Sequence, residues 1–213
     1  MQQLSHPPEM TIHQVTAEEI QAGVLTNYQV VIFAGGIASK QFSTLGEKGR
    51  KAVRSFVGSG GGYIGICAGA YLATSRSNGL RIIDAQTVSP KWERGRGQVK
   101  IELTERAQGI LPKLEGQHDI LYVNGPIVEP AGQPDLEDYQ ALALFRTELA
   151  KNGTPVGIMV NSPAIFAGPF GKGRVLCISP HPEQTTGLDG IVLNSVKWAG
   201  GHGAETRHAK ASR

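Results

Sequence analysis

The sequence reads as an α/β domain built on a mostly parallel sheet, and three observations carry that reading. Val30-Val31-Ile32-Phe33-Ala34 is an unbroken apolar run ending at Gly35-Gly36, the pattern of a strand buried on both faces. A second short run, Tyr63 to Ile66, follows a helical stretch and precedes another, so strands and helices alternate here. At 213 residues and 40% hydrophobic content the chain can bury one large core.

The elements can be justified in order. Thr11 to Val15 alternates weakly and is expected as a strand. Thr16 with Glu19 three residues on forms a capping box for a turn of helix over Ala17 to Ala22. Ser43 or Thr44 is expected to cap a helix to Val57, because Leu45, Ala52, Val53, Phe56 and Val57 form one stripe before Gly58. Ala68 to Thr74 is the next helix. From Arg81 to Thr104 the pattern changes: Ile82-Ile83, Thr87-Val88 and Val99 to Leu103 read as a small antiparallel insert.

Further strands are expected at Ile120 to Val123, Ala141 to Phe145, Pro155 to Val160, Ala164 to Ala167 and Arg174 to Ile178. Ile191 to Trp198 has the spacing of a closing helix. This gives one domain over residues 1–200, with the insert at 81–104 and a disordered tail at 201–213. Nothing before Thr11 supplies an opening buried strand. Either the fold has shed that first strand or the chain begins downstream of its natural start.

Composition excludes several classes. A net charge of +3 without a basic, aromatic-studded stripe gives no nucleic-acid footprint. No apolar stretch approaches the roughly 20 residues needed to cross a bilayer. Residues 1–10 contain no apolar signal core, so the sequence as written fits the cytoplasm. Export would fit a chain that had lost its start. The histidines other than His181 lack metal-ligand spacing, so neither a metal nor a cofactor is expected. Two cysteines, Cys67 and Cys177, make no disulfide framework.

The chemistry gathers at Cys67. Gly65-Ile66-Cys67-Ala68-Gly69 places a thiol where a strand turns into a helix, and the glycines allow other chain to approach closely. Downstream, His181-Pro182-Glu183 follows the Arg174 to Ile178 run, with Pro182 stiffening the link between a base and a carboxylate. Nucleophile, base and orienter are the three parts of a thiol acyl-transfer site. A free thiol is about 3% ionised at pH 7, and a helix N-terminus supplies only about 0.3–1 kcal/mol toward ionising it. A histidine must supply the rest. The Ala68 N–H and one from the Gly35-Gly36 loop can form an oxyanion hole. Cys177, inside an apolar run, reads as a buried hydrophobe.

These residues resemble a known family. Gly-x-Cys-x-Gly followed far downstream by His-Pro-Glu looks like the class I glutamine amidotransferase fold. Gly62 to Tyr71 is most similar to the amidotransferase-like domain at the N-terminus of some biotin–protein ligases and in stand-alone proteins. Phe33 to Gly36, Tyr122 to Pro126 and Gly171 to Val175 add to the match. The resemblance implies a flavodoxin-like α/β/α sandwich, with Cys67 as nucleophile, His181 as base and Glu183 as its orienter. Gly36 and Ala68 would form the oxyanion hole. Gly35, Tyr71, Tyr122, Asn124 and Gly125 would bind substrate.

One departure bears on substrate. The family usually carries a glutamine four residues after the cysteine, where this chain has Tyr71. A phenol does not reproduce a carboxamide's paired donor and acceptor. The function expected is therefore a stand-alone amidotransferase-like thiol hydrolase acting on a small amide or acyl compound, its identity open. Two alternatives stay open: a non-catalytic binding or scaffold module on the same fold, and a cysteine peptidase. The expected partner is a small molecule, with a homodimer compatible and neither nucleic acid nor membrane involved.

Overall fold

A computed structural model describes residues 10–111 and 114–201. The tail expected at 201–213 lies outside the described residues except for Gly201. The chain opens with α1 (Ala17–Gln21), whose capping box forms as the sequence requires: Thr16 Oγ1 accepts from Glu19 N–H, and Glu19 accepts from Thr16 N–H. Then come β1 (Val30–Phe33), α2 (Ala38–Gly58), β2 (Gly62–Ile66) and α3 (Ala68–Ala73). α2 starts five residues before the expected cap and kinks at Gly46, whose φ is 58°.

The middle of the chain is strand-rich: β3 (Ala85–Thr87), β4 (Arg96–Leu103), β5 (Gln117–Val123), β6 (Val128–Pro130), β7 (Gln140–Phe145), β8 (Pro163–Phe170) and β9 (Gly173–Ile178). α4 (Asp189–Ala199) closes the described structure. The main sheet has seven strands in the order β1-β2-β9-β8-β7-β4-β5.

The architecture is mixed α/β, and the mostly parallel, flavodoxin-like sheet is not what forms. β1, β2 and β9 pair in parallel, whereas β9, β8, β7, β4 and β5 are joined by antiparallel pairings. The reason is connectivity. A parallel pair needs a long crossover, usually a helix. Among the described residues no α-helix lies between Ala73 and Asp189, so the strands in that stretch return by direct reversals.

Other expectations are corrected with it. The stretch 81–104 is not a self-contained insert: β3 pairs with β6, while β4 enters the main sheet between β7 and β5. Thr11 to Val15 forms no strand, and Ile12 there is exposed with nothing to pair against. Pro155 to Val160 is a set of bends, because Pro155 lacks a donor and Gly157 takes a φ of 83°.

Two cores lie on opposite sides of the central strands. Along β2 and β9, Tyr63, Val175 and Cys177 enter one core, while Ile64, Ile66, Leu176 and Ile178 enter the other. Leu45, Val53 and Val57 of α2 share the first core, and Ile191 and Val192 of α4 share the second. Burial on both faces is why these strands read as unbroken apolar runs. β4 alternates instead, with Val99 and Ile101 buried on either side of the exposed Lys100.

Candidate functional site

The three parallel strands end side by side, and each delivers one part of the site. β1 runs into Gly35-Gly36, β2 into Cys67, and β9 through Ser179-Pro180 into His181. The crevice beyond the carboxyl ends of parallel strands is where open α/β sheets bind ligands.

Cys67 sits between β2 and α3 at φ 51° and ψ −101°, a conformation that costs about 1–3 kcal/mol for a side-chain-bearing residue. Two contacts hold it there. Its N–H donates to Ile178 O at 2.8 Å, and its carbonyl accepts from Tyr71 N–H at 3.1 Å. The flanking glycines are sterically required. A Cβ on Gly65 would stand 2.5 Å from Gly69 O, and one on Gly69 would stand 1.9 Å from Phe33 O. The tight turn that sets the buried thiol at the cavity thus exists only because both side chains are missing.

His181 is 5% exposed, and its backbone is tied to a distant strand. Its N–H donates to Leu121 O at 2.8 Å, while Thr185 Oγ1 donates to His181 O at 2.8 Å and accepts from Leu121 N–H at 3.0 Å. Leu121 belongs to β5, the far edge of the sheet, so the sheet curls until β5 reaches the ends of the parallel strands. Pro182 opens a 3₁₀ turn over Pro182–Gln184 that folds Glu183 back toward the ring. Nδ1–H of His181 donates to Glu183 Oε1 at 2.6 Å, and the Gln184 amide donates to the same oxygen at 3.2 Å.

That pairing leaves Nε2 of His181 buried and without a partner. Burial acts to lower the imidazole pKa, but the adjacent Cys67 sulfur and the Glu183 carboxylate outweigh it and raise it to about 9. The thiol itself donates to Val123 O at 3.3 Å, again on β5. Gly35 lies beneath both groups: a Cβ there would meet His181 Cε1 at 3.0 Å and Cys67 Cβ at 3.9 Å. Cys177 contrasts fully, being 0% exposed with its thiol pKa pushed up by burial.

Over Cys67 opens a cavity of about 220 Å³. Gly36, Ala68, Tyr71, Asn124 and His181 line it, with Cys67 at its base. Tyr71 donates its hydroxyl to Asn124 O at 3.2 Å, and burial, then the nearby Cys67, pushes its pKa up, so it stands as a neutral wall. Asn124, at φ 52°, accepts from Gly95 N–H through Oδ1 at 2.6 Å.

Three residues expected at the substrate are not on the cavity wall. Tyr122 is fully buried and donates to Gly125 O at 2.7 Å, and Gly125 is pressed against Ser179. Both shape the turn that presents Asn124. Gly35 supports the imidazole from below. Conversely, Ile37, Ser39, Arg76 and Val123 line the cavity with no local motif to announce them, and Trp92 joins them. Among the described residues no three His, Cys, Asp or Glu side chains cluster to hold a metal. Nor is any helix there long and apolar enough to cross a membrane.

Comparison with known proteins agrees with this architecture. The biotin-protein ligase N-terminal family matches residues 3–79, a stretch containing Gly35, Gly36 and Cys67. The chain resembles that family. His181 and Glu183 lie outside the matched part. Among solved structures, cytoplasmic protein STM1381 from Salmonella typhimurium LT2 superposes with a TM-score of 0.61 at 13% identity, covering 90% of this chain and 82% of its own. Cytoplasmic protein STM3548 from Salmonella typhimurium gives 0.58 at 12% identity, covering 89% and 80%. A ThuA-like protein from Parabacteroides merdae gives 0.56 at 14% identity, covering 85% and 74%. At such identities the likeness is one of fold, which this chain shares with these three proteins. No curated protein matches the chain in sequence.

Proposed function

We propose that the protein is a thiol hydrolase of the amidotransferase-like kind, acting on a small amide or related acyl compound. One observation carries the reading. The buried imidazole of His181 is held by Glu183 through Nδ1, its Nε2 is unpartnered, and it lies against a strained, cavity-facing Cys67. In the reacting pair the Cys67 proton passes to His181 Nε2, leaving a thiolate beside an imidazolium. Sγ attacks the substrate carbonyl carbon, and the oxyanion is received by the N–H groups of Gly36 and Ala68. His181 gives its proton to the leaving nitrogen, the C–N bond breaks, and an acyl thioester remains on Cys67. Water then loses a proton to the neutral imidazole and attacks the thioester. The C–S bond breaks, releasing the acid and restoring both charges.

The cavity's 220 Å³ is below the roughly 300–1,000 Å³ of pockets for drug-sized ligands, which favours a small compound over a peptide chain. A binding module without turnover is favoured by a different observation: the thiol donates to Val123 O rather than toward His181 Nε2.

4-Nitrophenyl acetate separates these readings. The hydrolase should release one equivalent of nitrophenol in a burst, carry an acetyl group on Cys67 by mass spectrometry, and turn over. An acetyl-Cys67 that persists would support the binding module. Acetylation at Cys67 no faster than in denaturant would end the catalytic reading.

A further inference from the structure

We propose that the substrate of this site carries a carboxylate, held by Arg76, with its apolar portion against Trp92 and Ile37. The inference rests on the hydrolase reading above and adds the substrate class.

Arg76 follows α3 closely and lines the cavity with its guanidinium 5.6 Å from the Tyr71 ring centre. Arg81 pairs with Asp135, Arg94 with Glu148 and Arg146 with Glu102, while Arg50, Arg54 and Arg174 donate to backbone carbonyls. Among the described residues Arg76 has neither an ion pair nor a side-chain hydrogen bond; its guanidinium lies over the Tyr71 ring. No Asp or Glu lines the cavity. A half-buried guanidinium over a neutral phenol wall, with no anion provided by the protein, is a receptor for one.

Two neighbours have the same sign. His181 is the second cationic group on the wall, and its Nε2 is buried and unpartnered. The first turn of α2 enters the same cavity through Ala38 and Ser39, and Ile37 at its cap offers no side-chain acceptor. Its free N–H groups favour negative charge. The rim is apolar: Ile37 is 65% exposed and Trp92 51% exposed, both lining the cavity. Exposed large apolar side chains at a pocket mouth mark a contact surface. A small acid with an apolar part matches charge, rim and volume together.

Matched alkylating agents test this. Iodoacetate and iodoacetamide both transfer their carbon to Sγ with loss of iodide, and they differ in one charge. The rate ratio at Cys67 in the folded protein, divided by that in urea, should favour iodoacetate by about tenfold. Arg76→Gln should remove most of that preference by raising the half-saturating iodoacetate concentration. Any change in the iodoacetamide rate should be much smaller than the loss with iodoacetate, and Arg76→Lys should recover part of the preference. An unchanged ratio in a folded Arg76→Gln protein overturns the inference. A test without mutation uses protection of wild-type Cys67 from iodoacetamide. Phenylacetate should protect at lower concentration than phenylacetamide, and equal protection overturns the inference. If Cys67 reacts selectively with iodoacetamide but shows no carboxylate preference, only this inference fails. If Cys67 shows no enhanced reactivity with either reagent, the hydrolase reading fails first.

Discussion

The parallel and antiparallel parts of the sheet are built from similar apolar strands and serve the site differently. β1, β2 and β9 run the same way, so their carboxyl ends bring Gly35, Cys67 and His181 to one crevice. The antiparallel strands alternate direction and cannot gather their ends like that. Their contribution comes through curling: β5 returns to give Val123, Asn124 and the Leu121 carbonyl. One part provides the candidate reactive groups and the other a wall and an anchor. The lesson is that strand direction decides which chemistry a sheet can concentrate.

That division can be broken at graded cost. Gly69→Ala attacks the parallel part, where a Cβ would stand 1.9 Å from Phe33 O. It should destabilise by about 3 kcal/mol or more, read as a lower urea midpoint at unchanged slope. His181→Gln should leave the fold intact and slow acetylation of Cys67 by 4-nitrophenyl acetate about a hundredfold. Thr185→Val cuts the staple between the two parts, losing bonds to both Leu121 and His181. A loss of about 1–2 kcal/mol in unfolding free energy is expected, with a few-fold drop in Cys67 acetylation.

Two smaller effects sharpen the contrast. His181 has its pKa raised from 6.5 to about 9, so its pairing stabilises the fold fully below pH 6.5 and loses that effect as pH rises through 9. The Tm advantage of wild type over His181→Gln should therefore narrow across that window. Cys177→Ala, near the carboxyl end of β9, should cost about 1 kcal/mol and leave the Cys67 acetylation rate unchanged.

Much of the parallel part was legible in the sequence, because its signals are local. The Gly65 to Gly69 frame names a tight turn, and the spacing of His181, Pro182 and Glu183 lets a single turn close the hydrogen bond. The antiparallel part was read less well. A short apolar run does not state the direction of its neighbour, so Ala164 to Ala167 and Tyr63 to Ile66 looked alike. Yet Val99-Lys100-Ile101-Glu102-Leu103 did alternate, the pattern of a strand with one exposed face, and that was the available signal against a mostly parallel sheet. Arg76 and Ile37 reach the cavity through loop paths that no spacing rule encodes.

The central claim is that Cys67 and His181 act as one pair, and the pH dependence of iodoacetamide alkylation at Cys67 tests it most directly. Wild type should react rapidly through neutral pH, while His181→Gln should need the alkaline range in which a thiol ionises without help. Superimposable profiles for the two proteins would contradict the account.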